Sequence, residues 1–429
     1  MKKKNKAIYL LFLMPFVYFA TACFVVWLVK TSGIYPSGSD TMYHVYRGDY
    51  VYNAIKSGNW YPLYDPAWYN GVEILRYWSP FPAYVMAFCQ YLAGGSQFGA
   101  YLFYIGGVCF LGACVWPFIG RGFNRPYLGA FIGLLWFFIP NNLCAIFIEG
   151  NLARSLSMIF LPVFIYSVYK YLYNHKLRYI PLMVFTFLLM ELCHLGYAGM
   201  VAIAVIIYGI VYIIQKGRKK AVLDVVISMI FGFMLLGIWL VASLRGGITS
   251  LDNSENMANF FQNLWITINP FERLTRGFEY FYFGFATLVV IVFGILFGYK
   301  KSRTGFVTGF IILLMTTKSA YAVLKHLPGS QYLWMLRFIS IALCMILMSF
   351  LMWDRLKKTL VLMLCVLLVV DTIPSLSLIV GEHNDISVQE RMVARQDSTL
   401  ISSAQAVTKQ RLALMDESIL GGNRFMAGF

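Results

Sequence analysis

Charge is what this chain has least of. Asp, Glu, Lys and Arg together supply 13% of its 429 residues, against about 25% in a soluble domain, and that shortage excludes an ordinary soluble globule. Acid is scarcer than base, 19 residues against 35. The five histidines stand apart in sequence, and the eight cysteines lack paired spacing. No disulfide framework or zinc site is indicated, and the cysteines read as small core residues. The alternating segments of about ten residues that mark a β-barrel are missing. So are a glycine-rich phosphate loop and any basic loop long enough for a catalytic domain, which excludes an encoded ATP-driven mechanism.

What fills the chain instead is apolar sequence, 59% of residues. Runs of about 20 apolar residues, enough to cross a bilayer as a helix, recur along most of it. They predict an all-α polytopic membrane protein with about eleven crossings, at 7–29, 97–119, 127–147, 153–173, 178–194, 197–215, 221–243, 281–298, 304–324, 331–353 and 359–380. The first run follows Lys2, Lys3, Lys4 and Lys6 but is too long for a signal peptide and lacks a cleavage site, so it is expected to remain as a helix.

Basic clusters set the expected orientation. They fall at Lys2–Lys6, Arg121/Arg125, Lys176/Arg178, Lys216–Lys220, Lys300–Arg303 and Arg355–Lys358, with two expected crossings between each neighbouring pair. If all are cytoplasmic, the N-terminus lies in the cytoplasm and the C-terminus outside. The net charge of +16 then reflects attraction to anionic membrane lipid, not nucleic acid. The apolar stretch 81–94 is too short to cross and is expected as an amphipathic surface helix, with Pro80 and Pro82 at its start. The domain expectation is a transmembrane unit over 1–380, with large outer loops at 30–96 and 244–280, and a short extracytoplasmic tail over 381–429 that could begin a truncated domain.

The first outer loop, GSDTMYHVYRGD followed by SGNWYPLYDPAWYNGVEILRYWSPFPAY, holds the densest chemistry. Asp40 and His44 are four residues apart and share a face if helical. Arg47, Asp49, Glu73 and Arg76 add charge, and the aromatics offer flat half-polar surfaces, a combination suited to a polyhydroxylated substrate. The plain alternative is a helix cap, with Asp40 as capping acid, followed by an interfacial aromatic belt. Further along, Glu149, Asn151 and Arg154 sit in a break that follows Pro140, Asn141 and Asn142. His194 closes the fifth expected crossing one turn after Glu191. Lys318, Lys325 and Arg337 flank the ninth and tenth, and Lys318 lies in an apolar run where charge usually faces a pathway, a partner or the interface. Asp371 reads as a structural pairing inside the last crossing.

GSDTMYH, SGNWYPLYDPAWYNG and YWSPFPAY, with IEGNLARSLSMIFLP, ELCHLGY and LPGSQYLWMLRF, resemble a bacterial family of 6-pyruvoyl-tetrahydropterin synthase-related integral membrane proteins. These in turn resemble GT-C glycosyltransferases, which use polyprenyl-phosphate-linked sugars. The last motif departs from the pattern in a stretched spacing between Trp334 and Arg337, and relatives usually continue into a larger extracytoplasmic domain. Pterin chemistry is not implied, because it needs a clustered zinc–histidine site. The resemblance implies an acidic residue in the first outer loop, which Asp40 matches, as general base towards an acceptor hydroxyl or as ligand of a divalent metal. His44 would orient Asp40 or contact the sugar. Arg47, Asp49, Glu73, Arg76, Glu149, Asn151, Arg154, Glu191, His194, Lys318, Gln331, Trp334 and Arg337 are the expected substrate-binding set. The expected partners are membrane lipid, a polyprenyl-phosphate-linked sugar, and a glycan, lipid or protein acceptor of the envelope. A flippase for lipid-linked glycans and a catalytically silent envelope scaffold are the alternatives.

Overall fold

In a computed structural model of the chain, the described residues are 2–32, 38, 40–66, 71–76, 78–245, 261–271, 282–327, 329–330, 333–353 and 356–379, the side chains of 2–11 and Ser32 excepted. The tail 381–429, most of loop 244–280 and Gln331 lie outside them. The helices are α1 (Lys2–Ser32), α2 (Thr41–Lys56), α3 (Phe81–Leu92), α4 (Gln97–Gly122), α5 (Pro126–Trp136), α6 (Pro140–Phe147), α7 (Leu152–Asn174) and α8 (Tyr179–Lys216). They continue with α9 (Lys219–Leu235), α10 (Gly237–Arg245), α11 (Leu264–Ile268), α12 (Phe285–Phe297), α13 (Lys300–Met315), α14 (Lys318–Leu324), α15 (Phe338–Met352) and α16 (Lys358–Thr372). Extended pairing among the described residues is confined to isolated bridges, Asp65 with Val72 and Gln262 with Thr317. The expected all-helical class is the one observed.

Six helices among the described residues are long and apolar enough to cross a membrane, or eight if the bent pairs α5–α6 and α9–α10 each count as one span. The difference from about eleven has identifiable causes. The expected run 281–298 yields α12, only 13 residues. The run 304–324 breaks at Thr316 and Thr317 into α13 and α14, and the two expected crossings over 178–215 are present as two helices joined at His194 without a loop, so that they count as the single element α8.

α8 nevertheless folds back on itself. Straight, it would hold Tyr179 and Tyr212 about 50 Å apart at 1.5 Å per residue. Yet the Tyr179 ring meets Tyr166 at 6.0 Å and the Tyr212 hydroxyl donates to the Leu172 carbonyl at 2.6 Å, both on the last turns of α7. His194 meanwhile lies beside Asn151, at the opposite end of α7. The reversal is made at His194, which is extended (φ −156°, ψ 93°). Reversing a buried helix orphans carbonyls on one side and N–H groups on the other. The Ser79 hydroxyl serves both, donating to the Glu191 carbonyl at 2.8 Å and accepting from the Leu195 N–H at 3.2 Å. His194 Nδ1 accepts from the Tyr197 N–H at 3.1 Å, acting as N-cap of the second half.

The α5–α6 break is built similarly. Pro140 cannot continue a helix from the preceding turn, so the chain bends by 40°, and Asn142 Nδ2 donates to the abandoned Trp136 carbonyl at 2.6 Å. α7 and α15 form the centre, with nearly every α15 side chain buried. At the margin the pattern inverts: α9 and α10 expose Ile230, Phe231, Met234 and Ile238, as suits helices facing lipid. The eight cysteines are all free thiols, five of them buried: Cys89, Cys144, Cys193, Cys344 and Cys365.

Cross-links sort the two ends of the bundle. Lys170 Nζ donates to the Gly122 carbonyl at 2.5 Å, Arg218 meets His175, and the Tyr173 hydroxyl donates to the Lys301 carbonyl at 3.0 Å. Several basic loops therefore gather at one end. α2, α3 and the His194 reversal lie at the other.

Candidate functional site

The site forms where α7 begins. Gly150 takes a positive φ of 63°, a conformation favoured by glycine. It is crossed so closely by Gly38 that a Cβ on either residue would strike the other strand of chain or Thr41. This contact brings the start of α2 against the α6–α7 turn, and the Asp40 N–H donates to the Glu149 carbonyl at 3.0 Å. Asp40 occupies the N-cap position of α2 but makes no side-chain capping bond. The capping alternative for this carboxylate is thereby removed.

Around that turn stand residues from four separate stretches of chain. Glu149 Oε1 accepts from Arg154 Nη2 at 2.6 Å, with the Arg154 side chain wholly buried. Glu149 Oε2 lies 3.5 Å from Arg337 Nε, and the Arg337 guanidinium stacks over Trp334 at 4.5 Å. Asn151 Oδ1 caps α7 by accepting from the Arg154 N–H at 2.9 Å. The same amide's nitrogen and Arg337 Nη1 each stand 3.4 Å from His194 Nε2. Asp40 acts on Arg337 electrostatically, and His44 on His194. Two histidines that looked isolated in sequence are thus neighbours. Enclosure by protein first, then the charge of Arg47, pull the His44 imidazole down to about 3, although its ring keeps a partly exposed edge. It is neutral at physiological pH.

Asp40, His44, Glu149, Asn151, Arg154, His194, Trp334 and Arg337 therefore form one assembly. Other expected residues are used elsewhere. Arg47 is buried and donates to the carbonyls of Ile74, Trp78 and Ser79 at 3.2, 3.3 and 3.5 Å, clamping the first loop. Asp49 accepts from Gln90 at 2.5 Å. Glu73 pairs with Arg76, which reaches the Ala242 carbonyl at 2.8 Å and docks the loop on α10. Glu191 is buried, with no hydrogen bond to its Oε2 among the described residues. Lys318 is exposed at the start of α14, outside the cluster. Asp371 accepts from the Tyr282 hydroxyl at 2.5 Å and the Ala286 N–H at 3.3 Å, the structural pairing expected of it. Ser79 and the Tyr197–Ser340 hydroxyl pair at 2.8 Å were not singled out, because nothing local marks a hydroxyl that serves a distant helix.

A bound metal needs several convergent anionic or imidazole donors. Among the described residues no three His, Cys, Asp or Glu side chains are so grouped, so the metal role raised for Asp40 gains no donor set and no step is routed through one.

The family model described as the 6-pyruvoyl-tetrahydropterin synthase related domain, a membrane protein, matches residues 75–379. The chain belongs to this family. The match takes in the α6–α7 turn, the His194 reversal and Arg337, while α2, with Asp40 and His44, precedes it. No curated protein matches this 6-pyruvoyl-tetrahydropterin synthase-related membrane protein.

Proposed function

We propose that this protein is a GT-C-like membrane glycosyltransferase. It moves a sugar from a polyprenyl-phosphate donor to a hydroxyl of an envelope glycan, lipid or protein acceptor at the outer face of a bacterial plasma membrane. The observation that carries this reading is the electrostatic coupling of Asp40, a carboxylate not used as a helix cap, to Arg337 beside the buried Arg154–Glu149 pair, at the end of the bundle away from the basic loops. Acid beside paired cations suits a sugar phosphate, because the reaction removes a proton from one oxygen and places negative charge on another.

In this reading Asp40 accepts the acceptor hydroxyl's proton as that oxygen attacks the anomeric carbon. The bond from that carbon to the phosphate oxygen breaks, and the lipid phosphate leaves with the electron pair, stabilised by Arg337 and Arg154. Neutral His44, one turn from Asp40, orients the base or the sugar. The lipid tail lies along the apolar helix faces in this reading; the nearby cavity of about 20 Å³, lined by Leu135, Ile139, Pro140 and Leu343 together with Asp371 and Thr372, is too small to hold it as it stands. The cavity's Pro140 edge adjoins Asn141, which donates to the Leu336 carbonyl at 3.4 Å beside Arg337. Eleven crossings follow if the two halves of α8, the bent pairs, α12 and α13–α14 each traverse the bilayer, with the basic loops and the N-terminus cytoplasmic.

The test uses purified protein in lipid nanodiscs with undecaprenyl phosphate and its sugar-linked forms. Wild type binds them, Arg337→Ala loses binding, and Asp40→Asn keeps binding but loses turnover. Full turnover by Asp40→Asn would remove Asp40 from the chemistry, and no binding of any polyprenyl phosphate would remove the donor.

A further inference from the structure

Hydrogen-bond accounting around Glu149 does not balance. Donors crowd it: Arg154 Nε and Nη1 are buried with no hydrogen-bond partner among the described residues, while Nη2 alone reaches Glu149. Arg337 Nε approaches Glu149 only at 3.5 Å. His194 adds another donor. Its Nδ1 accepts the Tyr197 N–H, so a singly protonated ring carries its proton on Nε2, and among the described residues that N–H meets Asn151 Nδ2 and Arg337 Nη1, both donors. Asn151 cannot turn its oxygen toward the ring without giving up the cap on α7. Against all of these stand two carboxylates: Glu149, whose Oε1 accepts from Arg154 and whose Oε2 lies 3.5 Å from Arg337 Nε, and Asp40, which acts on Arg337 electrostatically. Buried donors are normally matched. A phosphate, with three or more acceptor oxygens, would match this set where a carboxylate does not.

We propose that Arg154, Arg337 and His194 form a phosphate seat in which the Glu149 carboxylate is the resident anion, and that the ligand's phosphate enters by displacing it. This rests on the lipid-phosphate reading above and adds a mechanism of entry to it. Glu149 is suited to being displaced. Its side chain keeps some exposure, 13%, where that of Arg154 has none, and it adjoins Gly150, whose backbone rotates more freely than that of any other residue. Displacement also carries a signal. The Glu149 carbonyl accepts the Asp40 N–H, so movement of Glu149 is transmitted to the residue assigned as base, and phosphate binding adjusts Asp40 before the acceptor arrives.

The experiment measures binding of farnesyl phosphate, inorganic phosphate and farnesol by calorimetry on the full chain in detergent micelles. Removing an internal competitor strengthens binding, so Glu149→Gln is expected to bind farnesyl phosphate about tenfold or more tighter than wild type, the equivalent of one charge-assisted hydrogen bond released. Arg337→Ala and His194→Phe bind it more weakly, and farnesol does not respond to Glu149→Gln. Tightening for inorganic phosphate as well assigns the effect to the phosphate itself, and tightening for farnesyl phosphate alone adds a requirement for the tail. Weaker or unchanged binding by Glu149→Gln, with wild-type binding intact and Arg337→Ala impaired, overturns displacement and leaves the lipid-phosphate reading standing. No binding by wild type and Glu149→Gln alike overturns both. Glu149→Asp, which keeps the charge, must not tighten binding, and its melting curve together with that of Glu149→Gln confirms that each variant is folded.

Discussion

Arg47 and Arg154 are both wholly buried, and both sit near the same end of the molecule, yet their surroundings differ. Arg47 is engaged by three backbone carbonyls and stacks near Tyr43 and Trp78 at 5.3 and 5.6 Å. No carboxylate is paired with it among the described residues. Arg154 shares one carboxylate with Arg337 and keeps two nitrogens, Nε and Nη1, without hydrogen bonds among the described residues, where Arg47 keeps one, Nε. The first arrangement spends a cation on holding a loop shape, since carbonyls supply partial charge without a competing counter-ion. The second keeps bonding capacity in reserve, as a binding site requires. Burial of an arginine therefore does not by itself mark function; the kind of partner around its guanidinium, carbonyl or carboxylate, separates the two.

The largest effect expected from this contrast is on stability. Arg47→Ala leaves three carbonyls without their donor, each costing about 1–3 kcal/mol when orphaned in a buried site, and is expected to lower stability by about 3 kcal/mol or more. Thermal melting in detergent and limited proteolysis within 57–80 read it. If Arg47→Ala melted like wild type and lost only ligand binding, the two arginine regions would not be distinct. Arg337→Lys is expected to do the reverse. It keeps charge but loses the fork and the stacking on Trp334, lowering turnover about a hundredfold, roughly 2.7 kcal/mol of barrier, with little change in melting.

Ser79→Ala removes both hydrogen bonds that staple the α8 reversal, and a loss of about 1–3 kcal/mol is expected. Hydrogen exchange localises it to amides 195–197. A smaller effect concerns pH. The imidazole of His44 titrates near 6.5 when unfolded and about 3 when folded, so between those values the unfolded state binds more protons. The stability it contributes is complete above pH 6.5 and is lost as pH falls towards 3. His44→Gln should flatten that part of the melting-temperature profile, and an unchanged profile would place the ring in open solvent. Smallest is Glu73→Gln: its pair with Arg76 is part-exposed, and less than about 1 kcal/mol is expected.

The first loop shows how far local pattern carries. Its short apolar stretch 81–94 is α3 (Phe81–Leu92), legible because a length below a crossing and prolines at the start are both local signals. The breaks near Pro140 and His194 were legible for the same reason, one from proline chemistry and the other from a polar residue closing an apolar run. The roles of Arg47, Asp49, Glu73 and Arg76 were not. Charge density in a loop looks the same whether it faces a ligand or ties the loop down, and only the carbonyls and side chains supplied by other segments decide. Lys318 shows the same limit: an apolar neighbourhood in sequence became an exposed helix start once the chain broke at Thr316 and Thr317.

By itself the sequence determined the helical membrane class, the main helix breaks and the stock of acids, bases and rings, because each follows from hydropathy and backbone chemistry over a few residues. The tertiary structure alone decided that Ser79 closes the α8 reversal at His194, and which arginine is a clamp and which an anion partner. Those outcomes depend on contacts such as Ser79 with Glu191, His194 with Asn151 and His194 with Arg337, 112, 43 and 143 residues apart. A local pattern carries no record of which distant donor will find which acceptor. Packing selects those pairs, because a polar group buried without a partner is costly and only the assembled bundle brings its partners within reach.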